Sequence, residues 1–182
     1  PMQPFDRVAL LILLAALLLW VIVPDGPVTG AMLIAAGVVH CARLVRWAGL
    51  RTLAEPLVWV LHAGYAFLPL GALALGLSAF RPDLVGQGAA RHVWMAGAIG
   101  LMTLAVMTRA TLGHTGRDLT AGTGTLAIYL CLIGAVLARL TAGFAPGIAG
   151  SLYMISGLCW IAAFGGFAIL YGPMLFRSRI GD

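Results

Sequence analysis

Six apolar runs follow one another along the 182 residues, and each is long enough to cross a lipid bilayer. A helix needs about 20 apolar residues to span the hydrocarbon core. Because that core offers the backbone no water, helices that satisfy their own hydrogen bonds suit it. The runs lie at about 8–23, 28–45, 55–80, 91–112, 118–140 and 146–175. The sequence therefore predicts an all-α protein, a polytopic membrane helix bundle whose six transmembrane helices form a single transmembrane domain over residues 1–182.

The composition excludes a soluble domain of any size. Hydrophobic residues make up 62% of the chain and charged residues 9%, whereas a soluble domain carries about 25% charged residues. The sequence pI is near 9.7, but the arginines lie at helix ends instead of forming a patch, which indicates the lipid bilayer and no nucleic acid as partner. The three cysteines include no CxxC pair, so neither a disulfide framework nor a zinc ribbon is indicated.

The distribution of arginine predicts the orientation of the bundle. If the six spans alternate in direction, eight of the eleven positive charges fall at one end and three at the other. The arginine-rich end holds Arg7, Arg43, Arg46, Arg51, Arg109, Arg117, Arg177 and Arg179, and the arginine-poor end holds Arg81, Arg91 and Arg139. Positive residues remain on the cytoplasmic side of a membrane. We therefore expect both the N terminus and the C terminus to be cytoplasmic.

The fourth run has a histidine at each end. His92 and His114 are 22 residues apart, a length of about 33 Å at a rise of about 1.5 Å per residue. At about 100° per residue they lie on one stripe of the helix, which we expect to face the bundle interior. That stripe contains His92, Ala96, Gly100, Thr103, Met107, Thr111 and His114. The two rings share a face but cannot share a site. We expect Gly113 to close this helix, and Asp118 or Thr120 to cap the next.

The four histidines are the first candidates for chemistry, because ionisable groups at membrane depth are costly and usually functional. Neutral imidazole binds haem iron, copper and zinc. His40, His62 and His114 lie toward the arginine-rich end, and His92 is alone at the other. The pattern favours function for His62, His92 and His114. For His40 it favours contact with water or a lipid headgroup. The spacing alone names no metal.

Three other residues have two readings each. Met95 follows His92 by three residues, and a thioether beside an imidazole suits Cu(I), although methionine on an apolar helix is more often a packing residue. Arg109 either extends to the headgroups or pairs with an anion such as a haem propionate. Glu55 follows Arg51 by four residues, a spacing that favours a structural salt bridge over a proton relay. No nucleotide-binding loop, hydrolase motif or zinc-protease motif occurs, so no catalytic residue is assigned.

Two blocks and a short terminal motif carry a resemblance to a known family. HVWMAGAIGLMTLAVMTRATLGHTGR (92–117), EPLVWVLHAGYAFLPLG (55–71) and YGP (171–173) resemble the NnrS family. The resemblance implies a multi-pass protein of the bacterial inner membrane, from denitrifying or related bacteria, that contains haem and copper. It also implies a link to nitric oxide, as a small ligand, and to protection against nitrosative stress. Family members have about twelve spans, so the chain would be a C-terminal half whose partner is the N-terminal half or a second copy.

With that resemblance, the residues predict two sites. His62 and His114 would form one haem or metal site at the cytoplasmic end, with Arg109 and Arg117 anchoring propionates. His92, with Met95, would form a separate metal site at the periplasmic end. Half of a repeat-built transporter is the alternative, with histidines on a proton or substrate path. Against it, we expect no span broken by glycine or proline at mid-depth. A structural or assembly subunit is a third reading, and enzymatic activity is left unassigned.

Overall fold

The computed structural model of the chain describes residues 3–47 and 49–179, without the side chains of residues 50 and 51. The helices are α1 Pro4–Ile22, α2 Pro27–Arg46, α3 Pro56–Phe80, α4 Gln87–His92, a π-helix Val93–Gly100, α5 Leu101–His114, α6 Thr123–Ala142 and α7 Ala149–Leu175. Short 3₁₀ turns at Gly49–Thr52 and Pro146–Ile148 precede α3 and α7. The described residues contain no strand. Because α4, the π-helix and α5 run on as one span, the prediction of six transmembrane helices in an all-α bundle is confirmed.

Proline begins three of these helices. Pro4, Pro27 and Pro56 occupy the first turns of α1, α2 and α3, where the missing N–H would have no partner within the helix. Glu55 caps α3, because its carboxylate accepts a hydrogen bond of 3.3 Å from the Leu57 backbone N–H. The predicted salt bridge from Glu55 involves the side chain of residue 51, which lies outside the described part of the chain.

The end of α5 differs from the prediction. The helix continues past Gly113 to His114, and it ends because Gly116 adopts a left-handed φ of 72°. The Gly116 N–H donates to the Gly113 carbonyl at 3.3 Å, and the Arg117 N–H donates to the Leu112 carbonyl at 2.9 Å. These two bonds form a Schellman motif, which requires a residue that tolerates positive φ. Gly116, and not Gly113, is therefore the glycine that ends this helix.

The start of α6 is also later than predicted. Gly122 is its N-cap and Thr123 its first residue, so Asp118 and Thr120 do not cap it. The chain just before them still completes the end of α5, and the Thr120 N–H then donates to the Asp118 carbonyl at 2.8 Å in a turn of its own. These residues therefore form a connection, and the first helical residue follows Gly122.

Helix α3 lies between two apolar clusters and belongs to both. One cluster packs α3 against α5, α6 and α7 around Tyr129 and Leu104, and the other packs it against α1, α2 and the π-helix around Leu33 and Trp94. A Cβ atom at Gly71 would overlap the Trp94 ring, whose Nε1 donates to the Leu68 carbonyl at 2.6 Å. Such close approach is how helices associate in lipid.

The predicted inward stripe on the fourth span is wrong. Of its seven members, His92, Ala96, Gly100 and Met107 are half-buried, Thr103 and His114 are exposed, and Thr111 alone is buried. The buried face of the span instead contains Val93, Trp94, Gly97, Ala98, Leu101, Leu104, Ala105, Thr108, Thr111 and Leu112. The buried residues repeat the spacing of the predicted stripe one residue later along the whole span, so the period is right and the face is wrong. The inward face is set by the packing of neighbouring helices against this span, which its own periodicity does not record.

Contacts between the loops that join the spans show which loops lie at the same end of the bundle. The Gln87 side chain binds the Asp25 carboxylate, and Gly143 lies against Ala89, so these three connections meet at the arginine-poor end. At the same end Arg81 donates two hydrogen bonds of 2.9 and 2.7 Å to Asp83, and these bonds lower the pKa of that carboxyl. The spans therefore alternate in direction, as the charge count requires, while the side of the membrane stays a prediction.

Candidate functional sites at the two ends of the bundle

His40 is completely buried and uses both ring nitrogens within the protein. Its Nε2 lies 3.0 Å from the Ala9 carbonyl oxygen and its Nδ1 lies 2.5 Å from the Tyr65 hydroxyl. A carbonyl only accepts, so Nε2 carries the proton, and Nδ1 accepts from the tyrosine. His40 thus has no free lone pair for a metal in this arrangement.

An ion pair extends this contact toward the N terminus. Arg43 donates to the Tyr65 hydroxyl at 2.7 Å and to the Asp6 carboxylate at 2.9 Å. The Arg43 and Asp6 side chains are 14% and 17% exposed, and the guanidinium lies 4.7 Å from the centre of the Trp47 ring. We call Asp6, His40, Arg43 and Tyr65 the buried polar cluster. It joins α1, α2 and α3 at the arginine-rich end.

The interpretation of His40 as a residue that meets water or headgroups is wrong. Helix α1 crosses α2 at this point, and the small, fully buried Ala9 lets its backbone reach the imidazole. The sequence did contain a signal, since Asp6 in α1 and Arg43 one turn after His40 are opposite charges on neighbouring spans. Their partnership was missed because it joins residues far apart in the chain.

His62 is half-buried, and its ring is oriented by its own helix. Nδ1 lies 3.2 Å from the Val58 carbonyl oxygen, so Nδ1 carries the proton and Nε2 retains a lone pair. The ring meets Trp47 edge to face, with 6.1 Å between centroids, and lies against Gly49. Metal-bound histidines are held in this way by a carbonyl on the other nitrogen. His62 therefore keeps one ring nitrogen of the kind that a metal ligand would use.

His114 is exposed and shares an open groove of about 390 Å³ with Arg109. The apolar walls of the groove are Leu61, Val106, Ala110, Gly113 and Leu119. Leu61 precedes His62 in the chain, but His62 itself does not line this groove. The structure thus places His114 and Arg109 together, and the pairing of His62 with His114 stays a prediction. Arg117 turns back to the Thr115 carbonyl at 3.5 Å.

His92 lines a cavity of about 370 Å³ at the arginine-poor end, between the fourth span, α6 and α7. Its Nδ1 lies 2.7 Å from the Gly88 carbonyl oxygen, which again leaves the Nε2 lone pair free. Met95 lines the same cavity and is 61% exposed. Arg139 and Tyr153 stand opposite, with the guanidinium carbon 4.2 Å from the ring centre. Imidazole, thioether and guanidinium groups therefore meet in one cavity.

The described part of the chain contains no complete set of metal ligands. Over residues 3–47 and 49–179, no three His, Cys, Asp or Glu side chains come together as a metal-binding group. The cysteines Cys41, Cys131 and Cys159 are half-buried and free. A metal or haem bound here would therefore take one or two ligands from any one of these sites.

The fold and these sites define a polytopic helical membrane protein with separate imidazole groups toward both ends of its bundle. The chain matches the family described as NnrS protein over residues 1–179, and it belongs to that family. No curated protein and no solved structure matches it. The family match confirms the resemblance carried by the blocks at 55–71 and 92–117.

Proposed function

We propose that the chain binds haem and copper in a bacterial inner membrane and acts in the response to nitric oxide and nitrosative stress. Family membership supports this proposal, and one structural observation carries it. His62 and His92 each donate Nδ1–H to the carbonyl of the preceding helical turn and keep the Nε2 lone pair for a ligand bond. The chemistry of these donors fits both groups.

Copper fits the cavity at the arginine-poor end. His92 Nε2 supplies an imidazole nitrogen, and Met95 supplies a soft thioether in the same cavity. Soft sulfur with imidazole favours Cu(I) over harder divalent ions. The neighbouring wall residue Trp160 adds apolar surface that limits the access of water to such an ion.

Haem fits the arginine-rich end, where His62 and His114 each supply an imidazole and Arg109 and Arg117 supply charge for propionates. Bound haem supplies an iron at which a diatomic molecule such as nitric oxide can bind. The described residues contain no group of three His, Cys, Asp or Glu side chains, and His62 does not line the groove that contains His114, so further ligands would come from the N-terminal half of the protein or from a second copy.

The optical spectrum of the purified full-length protein tests the haem assignment. We expect a Soret band that is lost or shifted when His62→Ala and His114→Ala are combined, because both imidazoles are then gone. The matched control is Met154→Leu, an exposed residue that lines neither the groove with His114 nor the cavity with His92. A protein without a Soret band, or a band unchanged in the double variant, would contradict the assignment.

Metal analysis tests the copper assignment separately. We expect His92→Ala to lose the bound copper and Met95→Leu to lower its amount, while Met154→Leu retains it. Equal copper content in wild type and His92→Ala would remove His92 from the site. Nitric oxide tolerance of cells that carry the variants then shows whether either site matters for the response.

A transporter that moves protons or a substrate past its histidines is the second candidate. We expected no span broken by glycine or proline at mid-depth. Pro69 lies in the middle of α3, which continues through it, whereas the fourth span does depart from α geometry at the π-helix. In membrane transporters, substrate sites lie where a span departs from α-helical geometry. Uptake of copper into vesicles by a haem-free protein, abolished in His92→Ala, would favour this candidate.

A further inference from the structure

Arg139 is the one cationic side chain in the cavity that contains His92. None of the nine residues lining this cavity is acidic. Among the described side chains, no carboxylate lies within 4.0 Å of Arg139. A guanidinium cannot lose its proton in a protein, so its charge persists between the helices. A half-buried charge of this kind is stabilised by a counter-charge.

The other polar groups at this end already have partners. Arg81 binds Asp83, and Arg91 donates to the Gln87 side-chain oxygen at 2.8 Å. Asp25 is bound by the Gln87 amide. The carboxylates that these connections supply are therefore engaged away from Arg139, and the cavity keeps a net positive charge.

The geometry of Arg139 leaves its donors available. The guanidinium lies over the Tyr153 ring, with 4.2 Å from its central carbon to the ring centre. This cation–π contact locates the guanidinium beside the ring, and among the described residues none accepts a hydrogen bond from its N–H groups. The nearby Ser156 hydroxyl is committed to the Ala135 carbonyl at 2.7 Å. Arg139 is thus the positively charged hydrogen-bond donor of the cavity, and its guanidinium packs against Tyr153.

We propose that this cavity binds a phosphate-type oxyanion through Arg139. A planar guanidinium matches two oxygens of such an anion at once. The cavity lies at an end of the spans and has the apolar walls Met95 and Trp160. The same chemistry suits a lipid phosphate group or free inorganic phosphate. This site is independent of whether His92 binds copper.

Two measurements on the metal-stripped, delipidated full-length protein test the site and distinguish the two sources. Calorimetric titration with inorganic phosphate tests the free anion. Native mass spectrometry with added dioleoyl phosphatidylglycerol tests the lipid. We expect at least one ligand to bind wild type and to bind Arg139→Gln at least tenfold more weakly. Arg91→Gln is the matched control, since it removes another arginine from the same end, and it should bind as wild type does.

Arg139→Lys and Tyr153→Leu keep the proposal testable if Arg139→Gln fails to fold, as judged by helical circular dichroism. The lysine retains charge without the planar donor pair, and the leucine removes the ring that holds the guanidinium, so both should weaken binding at least threefold. Binding equal to wild type in the folded arginine variants, or no binding by wild type of either ligand, would overturn the proposal. Copper content measured on metal-loaded Arg139→Gln reports on the separate metal proposal.

Discussion

The Tyr65 hydroxyl group lies 2.5 Å from Nδ1 of His40 and ties α3 to α2 inside the bundle. The same oxygen accepts a hydrogen bond from Arg43, which also binds Asp6. The Ala9 carbonyl fixes the tautomer of His40, so the donors and acceptors are ordered along the whole buried polar cluster. The charges of Arg43 and Asp6 are thereby paired where three apolar helices meet. Both ring nitrogens of His40 have hydrogen-bond partners.

Tyr65→Phe should destabilise the protein by about 1–3 kcal/mol, because His40 Nδ1 loses its donor and Arg43 loses an acceptor in a dry environment. The measurement is the midpoint of denaturant-induced unfolding in detergent micelles. Tyr153→Phe is the matched control, since that tyrosine is 45% exposed and should tolerate the change. Equal midpoints for Tyr65→Phe and wild type would show that the cluster does not stabilise the bundle.

Gly71→Ala should destabilise the packing of α3 against the fourth span, because the added methyl group would overlap the Trp94 ring. Overpacking of this kind costs about 1–3 kcal/mol. Gly157→Ala in α7 serves as control, since an added Cβ meets no atom within 4 Å there. Thermal unfolding in detergent compares the two variants. If both unfold at the same temperature, the close approach of α3 to Trp94 is refuted.

Gly116→Ala should loosen the end of α5, because a non-glycine residue in the left-handed region costs about 1–2 kcal/mol. Hydrogen exchange of the amides of Gly116 and Arg117, which close the Schellman motif, reports the effect directly. Gly113→Ala is the control: Gly113 lies in the helix and an added Cβ there meets nothing closer than 3.8 Å. Faster exchange in Gly113→Ala than in Gly116→Ala would reverse the assignment of the capping glycine.

The arginine distribution predicts that the arginine-poor end faces away from the cytoplasm. Gly147→Cys places a thiol at that end, and Asp118→Cys places one at the arginine-rich end, both at exposed positions. A membrane-impermeant maleimide applied to intact spheroplasts should label Gly147→Cys and leave Asp118→Cys unlabelled until the membrane is opened. The opposite labelling pattern would invert the proposed orientation and place His92 in the cytoplasm.

Apolar length was sufficient to predict six spans, because the bilayer imposes the same requirement on every one of them. Side-chain partnerships were harder to predict. His40 contacts Ala9 and Tyr65, which come from neighbouring helices, so its burial depends on packing that no local pattern records. The inward stripe failed for the same reason, since its spacing matches that of the buried face but the neighbouring helices decide which face is inward. His62 and His92 remain good candidates because the carbonyl that orients each ring comes from its own helix.

The π-helix at Val93–Gly100 changes the direction in which residues before it point relative to those of α5. If this segment returned to α geometry at unchanged length, the extra residue that the wide π turn accommodates would add one more α-helical step between His92 and α5. His92 would then turn by about 100° relative to α5. Such a change would carry the imidazole away from Arg139 while α5 kept its own packing. The direction in which His92 points relative to α5 thus depends on whether the segment takes up its one surplus residue as a π turn.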